Sequence, residues 1–314
     1  MGKVNILSID GGGIRGIIPA IILDYIYKKT RTPIHRLFKY IAGTSTGGII
    51  ALGLTKANYL GKHEYIPEDM VSLYEKEGEK IFKPKNQLDN IINILGEKHN
   101  IKDLNNVTRS YFKQAYLSQA LTNVIIPSYD IKNGKPYFFK TDKAREDEKE
   151  DFLISDICCA TAAAPTYFEP YAIGNNVYID GGIFANNPSM CALAEVLKKD
   201  KEVENILLIS IGTGEFIKEY KYEEVKNWGM LNWVRPVIDT SINGNAQTVD
   251  YQMTQILNKG NRNYYRFEAK IDKSLSHMDN ASDANIKELK NIAYNYVEEN
   301  KELLDEACTK INTN

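Results

Sequence analysis

The chain has 314 residues, of which 43% are hydrophobic and 25% charged, with a formal net charge of −2. At about 300 residues a fold buries ~75% of the surface its unfolded chain exposes, so a core needs neither disulfides nor metals to hold it. The near-zero charge excludes a broadly basic nucleic-acid binder, and the lack of any apolar run of about 18 residues argues against a membrane-spanning helix.

Val4–Ile9 is a short apolar run with the pattern of a buried parallel strand. A glycine cluster follows, and between Ile14 and Lys29 apolar residues recur at 14, 17, 18, 21, 22, 25 and 26, which is helical spacing. Phe38–Ala42 reads as a second strand and Gly47–Thr55 as the start of a second helix. Residues 84–116 mix polar and apolar positions without a strand pattern. Further strands are predicted at Tyr137–Lys140, Val177–Ile179, Ile206–Ile211 and Tyr264–Phe267, and helices at Ser189–Lys199 and from Asp283 toward Lys310. Pro165 ends a small-residue helix after Ala162–Ala164, and Asn187-Pro188 reads as a helix cap with proline in the first turn. Strands alternating with helices predict an α/β fold with a mostly parallel sheet covered on both faces, in one domain over residues 1–314.

Two segments break the rhythm. Asp142–Asp151 carries nine charged residues in ten with mixed signs, as in a solvated loop or helix end. Residues 216–236 contain Phe216, Tyr220, Tyr222, Trp228, Met230, Leu231 and Trp233, including both tryptophans of the chain. That composition is expected for core or loop packing; the sharper alternative is a cap or an interfacial surface with one apolar and one wet side.

The four cysteines (Cys158, Cys159, Cys191, Cys308) lack CxxC spacing and only four histidines are present, which points away from structural zinc and from a disulfide scaffold. Cys158 and Cys159 are expected to be buried as small hydrophobes. The first residues lack a signal-peptide pattern, so a cytoplasmic, reduced protein is expected, and no cofactor is predicted.

Three glycine-marked motifs carry the chemistry. Gly11-Gly12-Gly13-Ile14-Arg15-Gly16, after Asp10, satisfies GxGxxG between a strand and a helix. Unobstructed N–H groups at such a turn stabilise negative charge, whether a nucleotide phosphate or a transient oxyanion. Gly43-Thr44-Ser45-Thr46-Gly47 is a GxSxG between the second strand and second helix, the context of a serine exposed on a tight turn. A dinucleotide domain would instead end that strand with an acidic residue. Ser45 needs a base. His277 alone lies late enough in the chain for a Ser…Asp…His order, and Asp180 in Asp180-Gly181-Gly182 is the other candidate. A carboxylate base must lie within hydrogen-bond reach of the hydroxyl and be partly desolvated.

Taken together with Ala162-Ala163-Ala164-Pro165, Ala185-Asn186-Asn187-Pro188 and Ile209-Ser210-Ile211-Gly212-Thr213-Gly214, these motifs resemble the patatin-like phospholipases. The resemblance is anchored over residues 4–215, and residues 216–314 match by length alone. It implies a three-layer α/β/α sandwich and a Ser–Asp dyad, with Ser45 as nucleophile and Asp180 as base, and so dismisses His277. It also implies an oxyanion loop at Gly11, Gly12 and Gly13 with Arg15 and Gly16, an elbow at Gly43 and Gly47, and a turn at Gly181 and Gly182. The implied activity is calcium-independent acyl hydrolysis of a membrane phospholipid, lysophospholipid or galactolipid, with transient membrane-surface contact and neither metal nor nucleic acid. The alternatives are a serine esterase or thioesterase for small soluble esters, and a nucleotide-binding regulatory module.

Overall fold

The computed structural model describes residues 3–85, 98–199, 202–216 and 219–312. Eight strands form one sheet: β1 (Val4–Ile9), β2 (Tyr40–Gly43), β3 (Asn123–Asp130), β4 (Lys135–Lys140), β5 (Tyr171–Ile173), β6 (Asn176–Asp180), β7 (Ile206–Ile211) and β8 (Tyr264–Phe267). The strand order is β5-β6-β3-β2-β1-β7-β8, with β4 paired to β3. The pairs from β3 through β8 along that path are parallel, and those of β4, β5 and β6 antiparallel. The mostly parallel sheet agrees with the expectation, and β1, β7 and β8 have the predicted bounds.

Both faces are covered, as strands buried on both sides require. In β1, Val4 and Ile6 belong to one core with Ala192, Leu193, Val249 and Met253, whereas Leu7 and Ile9 belong to a larger one with Ile17, Ile21, Met70 and Leu289. The helices supplying these side chains are α1 (Ile17–Thr30), α2 (Thr46–Thr55), α3 (Pro67–Ile81), α4 (Ile101–Phe112), α5 (Ile154–Ala162), the short α6 (Gly182–Ala185), α7 (Ser189–Leu197), α8 (Met230–Leu257), α9 (Asp283–Glu299) and α10 (Lys301–Asn312). Alternating burial along each strand therefore gives three layers, with α7 and α8 on one face and α1, α3 and α9 on the other.

Several expectations need correcting. β3 was not predicted, because Pro127 interrupts its apolar run. The sheet accepts that proline because β2 pairs only as far as Ile125 and β6 begins at Ser128, so Pro127 falls between the two partners. The stretch without a strand pattern contains α4, although its residues 86–97 lie outside the described residues. The single helix expected from Asp283 breaks at Asn300, whose side-chain amide donates to Tyr296 O at 2.9 Å. Pro188 occupies the cap of α7 and Asn187 Oδ1 accepts the Ser189 N–H at 3.0 Å, one residue out of the predicted register. Cys158 and Cys159 are fully buried, and burial pushes both thiols up, Cys159 to about 12.

Candidate active site

The site forms where β1, β2 and β6 end. Because the start of β3 pairs with β2 and its end with β6, the turns leaving those two strands emerge side by side. Ser45 follows β2 and is the pivot into α2. Its backbone is held at φ 54°, ψ −123°, a conformation that costs a non-glycine residue about 1–3 kcal/mol. What fixes it is the surrounding packing. Its N–H donates to Thr161 Oγ1 at 3.0 Å, and that hydroxyl donates to Pro127 O at 2.6 Å. The Thr44 hydroxyl donates to Ala185 O at 2.6 Å. On the far side of the turn, a Cβ on Gly47 would lie 2.3 Å from Ile9 O, so only glycine lets α2 start this close to β1.

Asp180 is the last residue of β6 and is 6% exposed. Its N–H donates to Ala163 O at 3.0 Å, and its Oδ1 accepts the Gly182 N–H at 2.6 Å. Burial pushes its carboxyl up to about 6, against the downward pull of the Gly182 N–H and of a hydrogen bond with the Ser45 side chain. Ser45 and Asp180 thus sit together at one wall of a cavity of about 60 Å³. The other walls are apolar: Ile49, Ile81, Phe82, Leu104, Phe168 and Ile242.

The glycine loop lines the same cavity through Gly12 and Gly13. Gly11 differs from them, because its N–H is donated to Asn186 O at 3.2 Å. Arg15 is buried, and both its backbone N–H and its Nε–H donate to Gly12 O at 3.3 Å. In a trans peptide the Gly13 N–H then points the opposite way from that carbonyl. Gly13 has φ +62°, which favours glycine, and the adjacent Ile14 N–H donates to Met278 O at 2.9 Å. Asp10, just before the loop, is gripped by Arg266 of β8, whose two terminal nitrogens lie 3.0 and 2.6 Å from its oxygens. Burial raises the Asp10 carboxyl and Arg266 pulls it back, while Arg266 itself is held charged by Asp10 and Glu268.

Of the predicted residues, Ser45, Asp180, Gly12, Gly13 and Gly182 line one cavity. Arg15 and Gly16 lie in the turn behind it, and Gly43, Gly47 and Gly181 shape the two elbows. His277 is exposed and lines a neighbouring polar cavity, not this one. Asn186 and Arg266 were not singled out by the sequence. Asn186 belonged to a quoted segment without a role, and the ion pair of Arg266 spans 256 positions of chain.

Strand order and a serine on a strained strand-to-helix turn define an α/β protein with a serine elbow. The sequence profile described as "Patatin-like phospholipase" matches residues 7–193. Patatin-like protein 3 of Arabidopsis thaliana is 34% identical, covering 84% of this chain and 73% of its own. Patatin-T5 of Solanum tuberosum is 31% identical over 98% of this chain and 86% of its own. A third relative, "Probable inactive patatin-3-Kuras 1" of Solanum tuberosum, is 31% identical over 90% and 83%. The chain belongs to the patatin-like phospholipase family, whose general activity is the hydrolysis of lipid acyl esters.

Proposed function

We propose that this protein is a calcium-independent lipid acyl hydrolase of the phospholipase A or lysophospholipase type, in which Ser45 is the nucleophile and Asp180 the general base. The observation that carries this reading is that the buried Asp180 carboxyl, raised to about 6, and Ser45, held at positive φ, line one largely apolar cavity. A carboxyl at that value is ionised at neutral pH yet basic enough to accept a proton in the transition state.

Asp180 takes the Ser45 proton as Oγ attacks the ester carbonyl, and the carbonyl electrons move onto oxygen. We assign this oxyanion to the N–H groups of Gly12 and Gly13, with that of Thr46 at the start of α2, rather than to Gly11, whose N–H is engaged by Asn186 O. As the oxyanion collapses, the lysolipid alkoxide leaves with the proton from Asp180 H. Asp180 then deprotonates a water, the water oxygen attacks the acyl-enzyme, and the fatty acid departs as Ser45 regains its proton. Arg15 fixes the Gly12 carbonyl and so acts through the loop. The enzyme works from the cytoplasm, meeting phospholipid, lysophospholipid or galactolipid at a membrane surface.

The test is fatty-acid release from mixed phospholipid vesicles in EDTA, with wild type compared to Ser45→Ala. Release by wild type alone is the expected result. Equal release by both overturns Ser45 as nucleophile, and hydrolysis of soluble short-chain esters without any release from vesicles moves the substrate to small soluble esters.

A further inference from the structure

Helix α8 is buried along one half and unpartnered along the other. Toward its end, Val249, Met253 and Leu257 lie in the second core, and Asn245 Nδ2 donates to Phe184 O at 2.7 Å. At its start, Met230 is 84% exposed, Trp233 43%, Val234 40% and Val237 53%. Positions 230, 233, 234 and 237 recur at helical spacing, so one whole apolar face of the helix is presented outward. Leu231, at 65%, widens it. An apolar stripe of this kind is ordinarily what seats a helix on its core, and here Met230, Val234 and Val237 stay exposed instead. The Trp228 ring meets Trp233 edge-on at 5.0 Å and Tyr220 at 5.1 Å, so the stripe is flanked by an aromatic cluster.

Two further observations select the occupant. The same helix reaches the cavity of Ser45 and Asp180 through Ile242, five residues beyond Val237, or about 7.5 Å along a helix axis. One helix thus carries the outward stripe and, on a different face, a wall of the site. In addition, residues 218–239 contain four acidic residues (Glu219, Glu223, Glu224, Asp239) and four basic ones (Lys218, Lys221, Lys226, Arg235), giving no net charge. A neutral stretch of tryptophan, tyrosine and aliphatic side chains suits the interfacial zone of a zwitterionic bilayer, where aromatic rings settle at headgroup depth. No helix among the described residues is long and apolar enough to cross a membrane.

We propose that residues 228–237, the Trp228 turn and the outward face of α8, are the surface on which this protein docks to a zwitterionic lipid bilayer. The proposal rests on the lipid-hydrolase reading, and its test is kept separate from turnover by using Ser45→Ala protein. Trp228 and Trp233 are the two tryptophans of the chain, so selectively excited tryptophan emission reads this surface alone. Added to phosphatidylcholine vesicles with brominated acyl chains, the protein is expected to shift its emission to the blue and be quenched, with partitioning unchanged as ionic strength rises. Val234→Glu with Val237→Glu replaces two apolar side chains of this face by charges, so partitioning should weaken at least tenfold. In a background with Ser45 intact, the same pair should leave hydrolysis of a monomeric short-chain ester unchanged. Vesicle binding without tryptophan quenching would overturn the proposal, as would binding lost at high salt. Self-association abolished by the same two substitutions, with no vesicle binding, would assign the face to a second copy of this chain.

Discussion

Replacing Asp180 by Asn separates the charge of the site from its shape. The carboxyl is buried, and burial raises it from 3.8 to about 6 in the folded protein. In the unfolded chain it titrates near ~3.9. Between those values the folded state binds the extra proton, so the stability this group contributes is fully present below about pH 4 and lost as pH rises through about 6. At ~1.36 kcal/mol per pKa unit the loss is about 3 kcal/mol. An amide keeps an oxygen for the Gly182 N–H, now at 2.6 Å, and carries no charge to desolvate. Allowing about 1 kcal/mol for a weakened hydrogen bond, the Asp180→Asn variant should be about 2 kcal/mol more stable than wild type at pH 8. The advantage should vanish near pH 4, while turnover falls by about 10²–10⁴ or more at every pH. Urea denaturation at the two pH values, run beside fatty-acid release, measures both. A variant less stable than wild type at pH 8, or equally shifted at both pH values, would refute the claim that the fold holds this carboxylate against its own desolvation.

Four further outcomes follow from the geometry. kcat/KM should decline with unit slope below about pH 6 and run flat above it, and His277→Ala should leave that profile intact; a dead His277→Ala would restore a Ser–Asp–His order. Gly13→Ala places a Cβ 2.2 Å from Met278 O at φ +62°, so kcat should drop by about 10²–10³ while melting shows a smaller loss. Arg266→Gln leaves Asp10 buried without its guanidinium and should cost about 3–5 kcal/mol, a loss that adding Asp10→Asn partly reverses in urea denaturation. Cys158 and Cys159 should resist alkylation in the folded protein and react in urea, as read by peptide mass shifts, because burial keeps both thiols protonated.

What a single sequence reveals here follows from the range of the interaction. β1, the Ser45 turn and the Asp180 turn are local patterns, a few residues of apolar run closed by glycines, and they stand where expected. β3 is a non-local compromise. Its proline is tolerable only because two different strands divide its length between them, a fact of topology and not of composition. α8 hides for a different reason. Pro236, Gly244 and a polar run from Asp239 to Thr248 give it poor intrinsic propensity, and packing of Val249 and Met253 overrides that. The cavity walls Ile81, Phe82 and Leu104 come from a region whose helices were not apparent. The aromatic stretch was legible as either core or surface, and exposure of Tyr222, Met230, Leu231 and Trp233 decides for surface.

The grip of Arg266 on Asp10 has a consequence in time. The serine turn is complete after some fifty residues and the carboxylate follows at Asp180, but the glycine loop is steadied by groups from the last quarter of the chain. Arg266 holds Asp10 from below and Met278 O receives the Ile14 N–H. A chain still being synthesised therefore carries Ser45 and Asp180 before the residues that steady the loop beside them have been made. The loop has its final contacts only once β8 is docked beside β7 and Met278 O has met the Ile14 N–H. C-terminal truncations ending before Arg266 should accordingly leave the glycine loop unsteadied and be inert even where the motif-bearing residues fold.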